Sequence, residues 1–145
     1  LDAKAAAECT ARSPINFLAA ARNVNLDIAT GIHDGHTGSV PVSHAIRAFN
    51  VVVPSAAVAD ADIDFICRTR RMPDHLCSTW QDSVYTRRIH FRKISGNTRL
   101  TLFEGGHEEV ESASLSWLAA QRRHRPAEWN ILPGGVSGKT VEVTK

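Results

Sequence analysis

Long hydrophobic runs are missing from this chain of 145 residues. No stretch approaches the roughly 18 consecutive apolar residues of a membrane-spanning helix, so we expect no membrane partner. An excess of charge is missing too, because a formal net charge of +2 is too small to indicate binding to nucleic acid. With 43% apolar and 22% charged residues, residues 1–145 have the composition of one globular domain.

Cysteine is scarce, and its spacing leaves the compartment open. The three cysteines form no C-x-x-C pair. A disulfide between Cys67 and Cys77 would close a short loop and would favour a secreted or periplasmic protein, whereas two unpaired thiols fit the sequence equally well. The chain begins at Leu1 without an initiator Met or a signal peptide, which suggests a piece of a longer protein.

Two strand–turn–helix units can be recognised in the remaining pattern. Residues 26–32 form a short apolar run that predicts a buried strand, and apolar residues then recur at helical spacing over 42–53 until Pro54. Residues 98–103 alternate in the manner of a strand and are followed by helical spacing over 108–122. These two units predict an α/β fold with a mainly parallel sheet and helices on both faces, which is a three-layer α/β/α architecture.

The other segments carry weaker signals. Ser13 and Pro14 predict a capped helix over 14–22, and the spacing of Val84, Arg87, Arg88 and Phe91 predicts a helix over 83–93. Ser95-Gly96-Asn97 predicts a turn. We expect residues 55–81 to be an insertion of a helix and irregular loops. The tail, residues 125–145, should be irregular with an edge strand at 141–143.

The chemistry-bearing residues follow the two predicted strands. Asp34 stands in Gly31-Ile32-His33-Asp34-Gly35-His36, and His107 stands in Phe103-Glu104-Gly105-Gly106-His107. Parallel sheets place their functional groups at the carboxyl ends of strands, so the two side chains are expected to meet there. An Asp followed by a His is the order in which α/β-hydrolases supply the acid and base of a Ser-His-Asp triad after their serine.

Several short motifs together resemble the prolyl-oligopeptidase-like branch of the α/β-hydrolases. They are Ser13-Pro14-Ile15-Asn16-Phe17-Leu18, the strand that ends at His33-Asp34, Val40-Pro41, the helix from Ser43 to Asn50, and Gly106-His107. The resemblance covers most of residues 13–124. It implies that Asp34 is the triad acid and His107 the triad base of a serine peptidase or esterase, acting on a peptide or ester substrate without a cofactor.

The nucleophile of such a triad is not found in the sequence. No serine lies in a G-x-S-x-G motif, which is the nucleophile elbow of this fold. We therefore predict the C-terminal half of an α/β-hydrolase fold, inactive alone, whose serine comes from a missing N-terminal half or from another chain. The isolated half would expose a sheet edge and an apolar face. His36 is predicted to face the active-site entrance and touch substrate.

Other interpretations are open at this stage. In one alternative, Asp34 does no more than stabilise its own turn, and His107 does no more than pack at the start of the next helix. The chain would then be a non-catalytic binding module or a relic of a hydrolase. A metal-dependent hydrolase could use His33, Asp34, His36 and His44, but successive strand residues point to opposite faces and no H-E-x-x-H motif is present.

Overall fold

The computed structural model describes residues 2–133, 136–137 and 141–143, with side chains described over 2–133. Four α-helices are found in this part of the chain: α1 Ala3–Arg12, α2 Ser43–Val52, α3 Asp60–Thr69 and α4 Glu111–Ala120. The strands of the same part are β1 Leu26–Gly31, β2 Thr79–Gln81, β3 Ile89–Ser95, β4 Thr98–Phe103, β5 Ile131–Leu132, β6 Val136–Ser137 and β7 Val141–Val143. Single 3₁₀ turns connect several of these elements.

The main sheet has the strand order β1-β4-β3-β2-β7, and β5 pairs separately with β6. The expectation of a mainly parallel sheet is wrong, since among the described strands β1 and β4 form the one parallel pair. A parallel pair needs a long crossover, which α2 and α3 supply between β1 and β4. The chain from β2 to β4 has no such crossover, so these strands pair antiparallel. The α/β class itself is confirmed.

A β-hairpin replaces the helix predicted over 83–93. Residue Ser95 pairs with Thr98 across a turn formed by Gly96 and Asn97, and Gly96 adopts a φ of +55°. A turn of two residues can join only antiparallel neighbours, and its left-handed backbone favours Gly at the first position. The predicted turn is thus the tip of the hairpin, and β3 pairs with β4 along its length.

The N-terminal region also differs from the prediction. Residues 14–22 form two short 3₁₀ helices, Pro14–Asn16 and Leu18–Ala21, instead of one helix. The Ser13 side chain makes no capping hydrogen bond there, because Ser13 is the C-cap of the preceding α1. An unpredicted N-cap begins α1, where Asp2 Oδ1 accepts from Ala5 N at 2.7 Å.

The core lies on both faces of the sheet. Alternate residues of a strand point to opposite faces, so Leu100 and Leu102 of β4 face one cluster and Phe103 faces the other. The first cluster joins β4 to Ile46 and Phe49 of α2 and to residues of α3. The second joins Phe103 and Ile89 to Val110 and Ala113 at the start of α4. Helices therefore pack on the two sides of the strands that carry the predicted site.

Several smaller expectations can be compared with the fold. Residues 55–81 contain α3 and irregular segments as expected, but they also contain the strand β2, since three residues are too few to show an alternating pattern in the sequence. Their status as an insertion stays a prediction. The strand at 141–143 is present as β7, at the sheet edge beside β2. Cys67 and Cys77 are both free thiols, as is Cys9. No helix in the described part is long and apolar enough to cross a membrane.

Candidate active site

The two predicted site residues leave the sheet side by side. Because β1 and β4 are parallel neighbours with Gly31 opposite Phe103, the segments after them emerge at the same edge. The pairing continues past both strands, since Ile32 N donates to Phe103 O and His33 N to Gly105 O, each at 2.9 Å. These backbone hydrogen bonds beyond the strands place the Asp34 turn against the His107 turn.

Asp34 and His107 form a hydrogen-bonded pair. The distance from His107 Nδ1 to Asp34 Oδ2 is 3.1 Å. The Asp34 side chain is only 7% exposed, while that of His107 is 56% exposed. With Nδ1 directed at the carboxylate, the opposite ring nitrogen, Nε2, makes no hydrogen bond to any residue that the structure describes. An imidazole held in this way presents Nε2 as a proton acceptor.

Further hydrogen bonds fix the Asp34 carboxylate. Thr30 Oγ1 donates to Oδ2 over 3.4 Å, and Gly35 N donates to Oδ1 over 3.0 Å. The backbone of Asp34 is held as well, because Val42 N donates to its carbonyl oxygen over 3.2 Å. The carboxylate therefore has a fixed orientation towards His107, which is the support that a reactive histidine needs.

Close backbone approach explains two of the glycines around the pair. A Cβ atom on Gly38 would lie 2.4 Å from His107 Cβ and 2.9 Å from Asp34 Oδ1. A Cβ atom on Gly31 would overlap the carbonyl of Gly105. Only glycine fits at these two positions, so the loop 35–38 can lie directly against the His107 side chain.

A cleft of about 420 Å³ opens beside the pair. Its lining consists of Ala29, Thr30, Asp34, Val40, Pro41, Ala45, His107, Glu108 and Glu109. No serine or cysteine is among these lining residues, and the Thr30 hydroxyl is already engaged with Asp34. The described residues thus offer an oriented base beside an open cleft without an evident nucleophile.

The two histidines near Asp34 have partners of their own. His36 Nε2 lies 2.7 Å from the carbonyl oxygen of Cys67, and His36 does not line the cleft. Its predicted contact with substrate stays a prediction. His33 Nε2 lies 2.6 Å from Glu104 Oε1, whereas Asp34 bonds to His107, so the two neighbours have different partners. The described residues include no group of three His, Cys, Asp or Glu side chains able to hold a metal ion.

Glu104 bridges two histidines next to the site. Its Oε2 lies 2.6 Å from His90 Nε2 on β3, while its Oε1 contacts His33. The hydrogen bond from His90, and then that from His33, lowers the pKa of Glu104 below its usual value. The bridge joins the segment before Asp34 to the segment before His107, and so braces the two turns against each other.

Sequence reasoning missed several residues that shape the site. Thr30 lies on β1 four residues before Asp34, and a strand threonine carries no signal that its hydroxyl reaches a carboxylate. Gly38 had a weak signal, since a second glycine follows closely after Gly35. Glu104 precedes the recognised Gly105-Gly106-His107 motif, but its partners His33 and His90 become neighbours only through strand pairing.

Comparison with known proteins gives no independent identification. The chain matches no protein-family model, no curated protein and no solved structure.

Proposed function

We propose that this chain supplies the acid and the base of a serine hydrolase that cleaves a peptide or ester bond. Asp34 is the acid, His107 is the base, and the nucleophilic serine belongs to a segment outside residues 1–145 or to another chain. The observation that carries the proposal is the hydrogen bond from His107 Nδ1 to a buried Asp34 carboxylate, with Nε2 beside a cleft and bonded to none of the described residues.

Each residue has a defined role in this proposal. His107 Nε2 takes the proton of the serine hydroxyl as the oxygen attacks the substrate carbonyl, and later gives it to the leaving group. Asp34 keeps the ring in the tautomer with a proton on Nδ1 and stabilises the imidazolium that forms. Thr30 and the amide of Gly35 orient the carboxylate. In the second step, His107 takes a proton from the attacking water and gives it to the serine oxygen, which releases the acyl group.

The fold supports the idea that these residues form part of a larger sheet. On the described strands β1 is an edge strand, with β4 on one side. Apolar side chains are also left exposed, with Phe17 at 62% and Leu115 at 59%. An open strand edge and exposed apolar residues are both features that additional chain can cover. A segment that covered it could bring the serine and an oxyanion hole, as the C-terminal half of a three-layer α/β-hydrolase would require.

The competing interpretation is a non-catalytic binding or relic module. It shares the fold and differs only in whether His107 ever transfers a proton. Mutation of the pair in the naturally produced protein separates the two interpretations, because a relic has no acylation step to lose.

Acylation should depend on His107 far more than on other histidines. In the naturally produced protein we expect His107→Ala to slow acylation by on the order of 10⁶-fold, and Asp34→Asn by on the order of 10⁴-fold, because the amide favours the wrong tautomer. The rate is measured with an activated ester. His75→Ala is the control, since the exposed His75 contacts Asp62 and does not line the cleft. Wild-type acylation in His107→Ala would rule out the proposal.

A further inference from the structure

A second cleft lies at the opposite end of the parallel strands. It has a volume of about 700 Å³ and is formed by residues 23–25, Asn97, Leu118 and residues 121–126. Asn25 precedes β1 and Asn97 precedes β4, whereas the Asp34–His107 pair follows them. A strand the length of β1 spans about 20 Å, so this basic cleft is separate from the cleft beside His107.

The charge of the basic cleft is of one sign. Arg122, Arg123 and Arg125 line it, with His124 between them, and no Asp or Glu is among its lining residues. Arg122 donates to the carbonyls of Ala119 and Gln121 at the end of α4. The guanidinium groups of Arg123 and Arg125 make no ion pair or hydrogen bond within the described residues. The cleft therefore carries two guanidinium groups, those of Arg123 and Arg125, that no described carboxylate neutralises.

Hydrogen bonds hold the turn that carries these cations. Arg125 N donates to Arg122 O over 3.2 Å, and His124 between them adopts a φ of +61°. Asn25 Nδ2 donates to Gln121 Oε1 over 3.2 Å and lies 3.4 Å from Arg125 O. The turn is thus tied to the loop before β1, which lowers the entropy lost when a ligand binds.

Apolar side chains complete the cleft. Leu118 is 61% exposed and Val24 is 53% exposed, and both line it beside the arginines. No Phe, Tyr or Trp side chain lines the cleft as a platform for nucleic-acid bases, and the net charge of the whole chain is only +2. Cations next to exposed aliphatic groups match a ligand that combines carboxylates with aliphatic side chains.

We propose that the basic cleft between residues 23–25 and 121–126 binds an acidic peptide segment with interspersed aliphatic residues. Carboxylates of the segment pair with Arg123 and Arg125, and its aliphatic side chains cover Leu118 and Val24. The site does not depend on the proposed hydrolysis, since none of its residues touches the Asp34–His107 pair.

Binding is tested with the full chain and a short fluorescein-labelled peptide of leucine and glutamate, read by fluorescence anisotropy. We expect saturable binding that weakens as salt is raised, and at least about tenfold weaker binding by Arg123→Glu/Arg125→Glu. The matched control is Arg68→Glu/Arg71→Glu, which makes the same change of net charge at two other exposed arginines. Circular dichroism establishes that each variant is folded.

Three results would overturn the proposal. One is the absence of binding by the wild-type chain, and another is an equal loss in both double variants, which would mean attraction to overall charge alone. The third is tighter binding of a single-stranded RNA of the same net charge as the peptide. Leu118→Ser supplies a second readout, because it should weaken the leucine–glutamate peptide while leaving all charges unchanged. None of these outcomes bears on acylation by His107.

Discussion

At the scale of single residues, the site depends on contacts too close to tolerate added atoms. Gly38 shows this most clearly, because its position against His107 leaves no room for a Cβ atom. The order of Asp34 and His107 and their places after two strands could be recognised from the sequence. The supporting contacts of Thr30 and Gly38 could not, since each depends on how a loop folds back over the sheet.

Adding one methyl group at Gly38 should therefore damage the site without unfolding the chain. We expect Gly38→Ala to slow acylation in the naturally produced protein by about 10²-fold, because His107 must move away from its bond with Asp34. The control is Gly96→Asn, at a turn where a Cβ atom meets nothing within 4 Å and where Asn tolerates the left-handed backbone. Equal rates in both variants would contradict the described packing.

The acid stability of the chain should depend on Glu104. Its pKa is lowered in the folded state by His90 and then His33, so its stabilising contribution is present above the usual pKa of a glutamate. That contribution is lost as the pH falls through the lower, folded-state value. We expect Glu104→Gln to lower the free energy of unfolding by about 1 kcal/mol or less near pH 6, as for other exposed pairs, and to have no effect at the acid end.

Urea unfolding at a series of pH values measures this dependence. Glu109→Gln is the matched control, because Glu109 makes no hydrogen bond or ion pair within the described residues. An equal pH dependence in the two variants would mean that the His33–Glu104–His90 bridge does not form in solution.

At the scale of helices and strands, prediction succeeded where local pattern and tertiary environment agree. Residues 26–32, 42–53 and 98–103 combine apolar periodicity with clear stop signals, and the structure has β1, α2 and β4 there. The helix prediction over 83–93 is wrong because the positions of Val84, Arg87 and Phe91 fit helical spacing by coincidence. The pairing of β3 with β4 determines the secondary structure of that segment, and the sequence of one strand alone does not specify its partner.

A buried ion pair crosses the one described parallel pair of strands. Arg99 on β4 donates from both Nε and Nη2 to the Asp27 carboxylate on β1, with Nε at 2.8 Å. Both side chains are less than 10% exposed, at 2% for Arg99 and 9% for Asp27. Burial works against the charge of Arg99, but the hydrogen bonds and charge of Asp27 raise its pKa overall. The Arg99 guanidinium also lies over the Trp129 ring, 5.1 Å from its centre.

Removing one member of this pair should be far more destabilising than removing both. We expect Arg99→Leu to lower the free energy of unfolding by about 3–5 kcal/mol, because Asp27 is left charged and buried. The double variant Asp27→Leu/Arg99→Leu should recover part of that loss. Arg12→Leu breaks an exposed pair with Glu8 and should cost about 0.5 kcal/mol or less. Chemical denaturation measures all three, and a loss in Arg99→Leu as small as in Arg12→Leu would contradict the described pair.

At the scale of the whole molecule, the chain combines an oriented histidine with surfaces that none of the described residues covers. His107 is held ready beside a cleft whose lining contains no serine or cysteine. The edge of β1 and the exposed Phe17 and Leu115 lie on the same chain. Under our proposal, additional chain covers β1 and supplies the serine. A relic of a hydrolase would retain the Asp34–His107 contact as well, so a measurement of acylation separates the two interpretations.

Fluorophosphonate labelling of the naturally produced protein, read by intact mass and peptide mapping, is the most direct test of the proposed function. We predict a labelled serine outside residues 1–145, on the same polypeptide or on a tightly bound second chain, and no label in the His107→Ala variant. A polypeptide of 15.8 kDa that carries no label and has no labelled companion would contradict it.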